Sequence, residues 1–193
     1  MKKTLTSLFL ATTVAFTANV SAEDTSWFSS VSKDIGLSEE SLNMALDKML
    51  LKKRTGGRRD RAEEPEVLPR GEVLVGQPLF VNIEEEAHGK VISFSIKGAW
   101  SLDKPQNAFY IPADVLKDGE TYQWTLKTTK GAYSDSFVSI PTDFKASVKE
   151  TLDVAETKTK NKKSLTVLQA TVYLENMLDF NAISSIAEWR KSL

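Results

Sequence analysis

The sequence predicts an α+β protein, with strands in the middle of the chain and helices on either side. Residues 71–141 are rich in β-branched and aromatic side chains and are interrupted by Gly, Pro and Asn. Residues 142–193 contain neither Gly nor Pro, a composition typical of helices. Closer to the N-terminus, apolar residues recur at helical spacing before a charged tract. These three observations predict a β region between two helical regions.

The first residues have the order of a Sec signal peptide. A pair of lysines is followed by an uncharged, largely apolar stretch over residues 5–18. Small residues in Val20-Ser21-Ala22 then precede Glu23 and match an A-x-A-like cleavage site. The competing interpretation is a membrane anchor, but a spanning helix needs about 20 apolar residues and Thr and Ser dilute this stretch. We expect residues 1–22 to be removed, which leaves a protein of the Gram-negative periplasm, or a secreted one, without stable membrane insertion.

Composition excludes several classes of function. The 193-residue chain has no cysteine, which excludes disulfides, thiol catalysis and thiolate metal sites. The formal net charge is −1, and loss of Lys2 and Lys3 with the signal peptide makes it −3. This balance gives no electrostatic basis for binding nucleic acid. Stability must therefore come from buried apolar side chains, for which the chain is long enough.

Residues 23–54 form the predicted N-terminal helical segment. Ser38 is the expected N-cap, and the acidic residues that follow it suit the first turn of a helix. One apolar stripe then recurs at helical spacing in Leu42, Ala45, Leu46, Met49 and Leu50. We expect this helix to pack on the rest of the protein, and docking to a partner is the competing interpretation.

Residues 55–70 form the predicted charged linker. Arg58, Arg59 and Arg61 belong to a basic cluster that an acidic run follows directly. The cluster is interpreted either as a solvated linker or as a contact for an anionic lipid or polymer. The linker interpretation is favoured because the neighbouring acidic residues would repel the same polyanion.

Six segments of residues 71–141 are typical of strands: Val73–Val75, Leu79–Ile83, Val91–Ile96, Phe109–Ile111, Thr121–Lys127 and Tyr133–Ile140. The clearest pattern alternates Tyr122, Trp124 and Leu126 with polar residues, and Phe94 alternates in the same way. Turn residues separate the segments and no helical pattern interrupts them. We therefore expect a small antiparallel sandwich in which these aromatic residues share one buried face.

The run Leu116-x-x-Gly119-x-x-Tyr122-x-Trp124-x-Leu126 resembles a motif of fibronectin type III and immunoglobulin-like domains. The resemblance implies an Ig/FnIII-like β-sandwich, with Leu116 in the core, Gly119 at the turn between the sheets and Tyr122 in a corner hydrogen bond. The wider arrangement resembles uncharacterised exported bacterial proteins in which such a domain precedes a helical tail. These resemblances imply fold more than function.

Residues 142–193 form the predicted C-terminal helical region. Asp143 and Ser164 are the expected N-caps of two helices, and a third helix is expected to begin at Asn181. The run from Ala170 to Ile186 resembles a single tetratricopeptide-like helical hairpin, with Met177 at the position of the pattern's glycine. One such unit does not form a solenoid groove. We expect it to cap the sheet or to pair with the N-terminal helix.

The sequence gives little support for an enzyme. His88 is the only histidine, and it lies in the acidic, turn-like stretch Glu84-Glu85-Glu86-Ala87-His88, where we expect it to face solvent. No spacing singles out a pair of carboxylates for glycoside hydrolysis. We therefore predict no catalytic residues, no metal and no cofactor.

Three hypotheses of function remain. The first is a non-catalytic periplasmic interaction module that binds or supports an envelope protein partner. The second is a protein that binds carbohydrate or an anionic envelope polymer through Trp100, Tyr110 and the arginines Arg58, Arg59 and Arg61. The third, which the sequence supports least, is a hydrolase. The oligomeric state and the identity of the partner do not follow from the residues.

Overall fold

A computed structural model describes residues 22–50 and 67–192. Helices and strands alternate along this part of the chain in the order α1 (Ala22–Asp34), α2 (Glu39–Leu50), β1 (Gly71–Val73), β2 (Leu79–Asn82), α3 (Glu85–His88), β3 (Val91–Ile96), β4 (Trp100–Ser101), β5 (Ala108–Ile111), β6 (Thr121–Thr128), β7 (Ala132–Ser139), α4 (Thr142–Lys158), α5 (Lys162–Glu175) and α6 (Asp179–Lys191). The α+β prediction is confirmed. The described helices include none that is both long and apolar enough to cross a membrane.

The strands form two sheets. The larger sheet has five strands in the order β1-β7-β6-β3-β4, and the smaller one pairs β2 with β5. Every pair of neighbouring strands is antiparallel except β1 and β7, which run parallel. The larger sheet is therefore mixed, and the prediction of a wholly antiparallel arrangement was wrong. The reason is that β1 joins the last strand rather than its successor, so no hairpin turn fixes its direction.

One hydrophobic core draws side chains from both sheets. The inward residues of β6 alternate with exposed ones along its whole length. Tyr122, Trp124, Leu126 and Phe94 share this core, as predicted, and Phe109 joins it from the smaller sheet. Trp124 is only 1% exposed, and its indole Nε1 donates a 2.7 Å hydrogen bond to the carbonyl of Pro69. The indole therefore keeps a polar partner within an apolar interior.

The helices before and after the strands pack against each other in a second core. Leu42 and Ala45 of α2 are buried in the same cluster as Leu168 and Val172 of α5. The expected pairing between the N-terminal helix and the C-terminal hairpin is therefore confirmed. Phe180 of α6 belongs to the sheet core instead. Helix α6 thus touches both cores and fixes the helical layer on the sheet region.

The helix ends agree only partly with the prediction. Ser38 does cap α2, because its Oγ accepts a 3.2 Å hydrogen bond from the amide of Ser41. Helix α5 begins at Lys162, and its N-cap is Asn161 rather than Ser164, because the Asn161 side chain accepts from the Ser164 amide. Pro141 rather than Asp143 is the N-cap residue of α4, which begins at Thr142, and α6 begins at Asp179, ahead of the predicted Asn181. A polar side chain near a helix start is therefore no guarantee of the cap position.

Candidate functional site

The structure describes only part of the predicted set of contact residues. Arg58, Arg59 and Arg61 lie outside the described residues, as do residues 1–21 of the expected signal peptide. Trp100 and Tyr110 are described. They are considered first, because a flat sugar or an apolar partner surface would need aromatic rings exposed on a common face.

Trp100 and Tyr110 lie on different faces of the protein. The ring of Trp100 packs against the core rings of Phe94 and Phe109, with centroid distances of 6.3 and 6.1 Å. Tyr110 follows Phe109 in β5, so its side chain points to the opposite face of that strand. Tyr110 is 46% exposed and rests on Phe80 with ring centroids 5.1 Å apart. The structure therefore does not bring Trp100 and Tyr110 together.

Tyr110 borders a cleft of about 300 Å³ between the smaller sheet and the last two helices. The β1–β2 connection and β5 form one side, and α5 and α6 form the other. We call it the Tyr110 cleft, and it is lined by Gln77, Pro78, Leu79, Tyr110, Gln169, Tyr173, Asn181, Ser184, Ser185 and Glu188. Among these residues, Tyr110 is the one that the sequence predicts as a contact, because the others come from segments far away along the chain.

The floor of the cleft is fixed by hydrogen bonds from α6 to the strands. Asn181 is 3% exposed, and its side chain bonds both backbone groups of Leu74, accepting at 2.9 Å and donating at 3.0 Å. The hydroxyl of Ser184 donates to the carbonyl of Phe80 at 2.7 Å. Because these buried polar groups are satisfied, α6 holds a defined position against the strands. The lining residues of α6 are therefore preorganised.

Two tyrosines form the polar walls of the cleft. The Tyr110 hydroxyl donates to Oε1 of Glu188 at 2.9 Å. The Tyr173 hydroxyl accepts a 3.1 Å hydrogen bond from Nε2 of Gln77. Burial raises the pKa of Tyr110, and the hydrogen bond and charge of Glu188 raise it further. Burial also raises the pKa of Tyr173, against the hydrogen bond from Gln77, so both phenols remain neutral at physiological pH.

His88 lies away from the cleft and is buried, with 5% exposure. The expectation that it faces solvent was wrong. Residues 85–88 form the short helix α3 rather than a loop, and this turn directs the imidazole inward against Tyr133. Nδ1 of His88 lies 3.4 Å from the Tyr133 hydroxyl. No group of three or more His, Asp or Glu side chains within the described residues is arranged to hold a metal ion.

The outer face of the larger sheet is a second open surface. The strand register places Ser101, Ser95, Thr125 and Ser134 in one row across β4, β3, β6 and β7. The hydroxyls of Ser95 and Thr125 are 2.9 Å apart and bond each other. The side chains of this row are small and fully or partly exposed. This face supplies control positions for experiments on the Tyr110 cleft.

Comparison of the chain with known protein families, with curated proteins and with solved structures finds no match.

Proposed function

We propose that this protein is a non-catalytic periplasmic interaction module that binds or supports an envelope protein partner. The Tyr110 cleft carries the proposal, because it combines a half-exposed aromatic ring with a preorganised polar lining. Its volume of about 300 Å³ lies at the lower end of the range for small-molecule sites. A cleft of this size suits one long side chain of a partner. Exposed tyrosine is also enriched in protein interfaces.

We further propose that the β region is an Ig/FnIII-like sandwich. Three features support this assignment. The two sheets bury a common core. The first strand runs parallel to the last one, as sandwich strands that change sheet can do. The Tyr122 hydroxyl accepts a hydrogen bond from the Lys117 amide, as the corner motif requires.

The periplasmic location rests on residues 1–22. A positive start, an apolar stretch and small residues before Glu23 support export and cleavage. Intact-mass measurement of the protein from the periplasmic fraction should give a chain that begins at Glu23. A mass that includes Met1 to Ala22 would contradict cleavage.

Site-specific photo-cross-linking in the native host tests the interaction. A photoreactive amino acid is placed at Pro78 or Gln169, which line the cleft. Matched positions on the outer face of the larger sheet are Thr125 and Ser134, which are exposed and do not line the cleft. We expect a protein adduct of discrete mass from the cleft positions only. Adducts from the sheet face alone would move the interface there, and no adduct from any position would reject the interaction.

Carbohydrate or anionic-polymer binding is the alternative function. The specific observation in its favour is that Tyr110 is exposed beside the amide side chains of Gln77 and Gln169. A polysaccharide-binding screen separates the two functions.

Replacing Arg58, Arg59 and Arg61 by Ser tests the polymer contact. We expect this variant to keep its cross-links and stability, because the charges of a solvated linker, as the sequence favours here, contribute little. Polymer binding that disappears in it and falls steeply with salt would favour the alternative.

A further inference from the structure

We infer that the Tyr110 cleft binds the cationic side chain of a lysine or arginine presented by the partner protein. This inference rests on the proposed function and adds the chemistry of the bound group. It depends on which hydrogen-bonding groups of the lining are still free to bind a ligand and on the charge of Glu188.

Three of the four hydroxyl groups of the lining, all except that of Tyr173, already donate their protons within the protein. Tyr110 donates to Glu188, Ser184 to the carbonyl of Phe80, and Ser185 to the carbonyl of Ala182. The amide of Gln77 donates to Tyr173. The lining offers a ligand lone pairs on the Glu188 carboxylate and on phenol and amide oxygens, while the Tyr173 hydroxyl and the second amide protons of Gln77 and Gln169 remain as donors. A ligand that brings hydrogen-bond donors can therefore use the carboxylate and these oxygens.

Glu188 gives the cleft its negative charge. Its Oε1 accepts from Tyr110, and within the described chain no Lys, Arg or His nitrogen lies within 4.0 Å of its carboxylate. Lys191, one turn later on α6, directs its ammonium group to Phe80 and Asn82 instead. The second carboxylate oxygen of Glu188 is therefore open to a charged donor from outside, which would make the stronger kind of hydrogen bond.

The aromatic walls favour the same class of ligand. Tyr110 and Tyr173 both line the cleft, and a cation close to the face of such a ring is attracted to it. The negative charges of Glu156 and Glu188 both act on the Tyr173 hydroxyl and help to raise its pKa. Glu156 is linked to the lining through Gln169, whose amide donates to it at 3.3 Å. A lysine or arginine side chain has an aliphatic stem that can pack on the tyrosine rings and a positive end that these two carboxylates attract.

Titration followed by amide NMR shifts tests the inference on the whole mature protein. The probes are the N-acetyl methylamides of lysine and arginine, with the norleucine derivative as a neutral match. We expect the cationic probes to shift the amides of Gln77, Gln169 and Ser185, and the norleucine probe to leave them unchanged. Glu188→Gln keeps an acceptor for Tyr110 but removes the charge, and should weaken binding about fivefold. Glu150→Gln, an exposed position on α4, is the matched control and should bind as the wild type.

Equal shifts with norleucine, or unchanged affinity in Glu188→Gln, would overturn the cationic ligand. N-acetylglucosamine that shifts the same amides while lysine and arginine do not would overturn it in favour of a sugar. Cross-links from the cleft without any response to the cationic probes would reject the cation and keep the protein interaction. A response to the probes without cross-links would reject the partner protein as the source of the cation.

Discussion

The hydroxyl of Tyr122 accepts a 2.7 Å hydrogen bond from the backbone amide of Lys117, five residues earlier in the chain. The same hydroxyl donates to a carboxylate oxygen of Glu120 at 3.2 Å. The ring packs on Phe137 with centroids 5.3 Å apart. Tyr122 therefore ties the loop before β6 to the core of the larger sheet. This bond lies where the resemblance of the motif around Leu116 and Gly119 implies a corner hydrogen bond.

We predict that Tyr122→Phe lowers the free energy of unfolding by about 1–2 kcal/mol. The ring keeps its packing, but the Lys117 amide loses its acceptor in a partly buried site. Urea denaturation of the two proteins measures the difference. Tyr110→Phe is the matched control and should change stability by less than about 0.5 kcal/mol, because that hydroxyl is exposed. An equal loss in both variants would contradict a special role of the corner bond.

We predict that Trp124→Ala costs about 3–5 kcal/mol, as truncation of a large buried aromatic does. The indole is 1% exposed, and its removal also leaves the Pro69 carbonyl without a donor. Chemical denaturation gives the value. Gln123→Ala, an exposed neighbour in the same strand, should change stability by less than about 0.5 kcal/mol. A loss below about 1 kcal/mol for Trp124→Ala would show that the indole is not a core group.

These two residues show which parts of the fold are readable from sequence. Trp124 and Tyr122 alternate with polar residues in β6, and a period of two places them on one face whatever the strand pairs with. Pairing between distant segments leaves no such local record. The parallel contact of β1 with β7 and the bonds between Asn181 and Leu74 join segments that the sequence separates widely. From the sequence alone Asn181 is predicted only as the start of a helix, because its hydrogen-bond partner Leu74 lies in a distant segment.

Of the residues that line the Tyr110 cleft, only Tyr110 could be predicted from the sequence. Alternation in β5 separates Tyr110 from the buried Phe109, so its exposure could be inferred from the sequence. Its partner Glu188 lies on α6, 78 residues later in the chain, and only the folded structure brings the two together. The expected exposure of His88 was wrong for a related reason. Its acidic neighbours indicate exposure on average, whereas a single turn of helix decides the direction of each side chain.

We predict that Met177→Gly stabilises the protein by about 0.5–1 kcal/mol. Met177 has a φ of 58° and is 80% exposed, in the turn between α5 and α6. The amides of Leu178 and Met177 bond the carbonyls of Tyr173 and Leu174, which is the Schellman pattern that ends a helix. Glycine adopts this left-handed conformation without the steric cost of a Cβ.

Thermal unfolding compares Met177→Gly with the wild type and should show a higher Tm. Asn176→Gly is the matched control, because Asn176 has a φ of −100° and its side chain donates to the Val172 carbonyl. It should lower the Tm or leave it unchanged. A lower Tm for Met177→Gly would contradict a backbone cost at this position and point to contacts made by the methionine side chain.

The ion pair between Asp118 and Lys145 should make stability depend on pH in the acid range. The two groups are 2.8 Å apart, with side chains 20% and 17% exposed, and they join the loop before β6 to the first turn of α4. The hydrogen bond from Lys145 is the largest of the effects that lower the pKa of Asp118, and the Thr142 hydroxyl also contributes. A carboxyl whose pKa is lower in the folded state than in the unfolded chain binds its proton less readily when folded. Its stabilising effect is therefore complete above the unfolded pKa of about 3.9 and decreases as the pH falls towards the folded pKa.

We predict that Asp118→Asn costs about 0.5–1 kcal/mol at pH 7 and that this difference shrinks as the pH falls from about 4 to 3. Denaturation of both proteins at several pH values in that range measures it. Glu175, whose pKa is lowered by hydrogen bonds from Ser38 and Ser41, stays in both proteins, so its contribution cancels in the comparison.

Lys149→Gln tests specificity, because this lysine adds only a weak charge effect on the pKa of Asp118. It should leave the acid dependence of the wild type nearly unchanged. A difference between wild type and Asp118→Asn that stayed constant down to pH 3 would show that Asp118 is held by packing rather than by its charge.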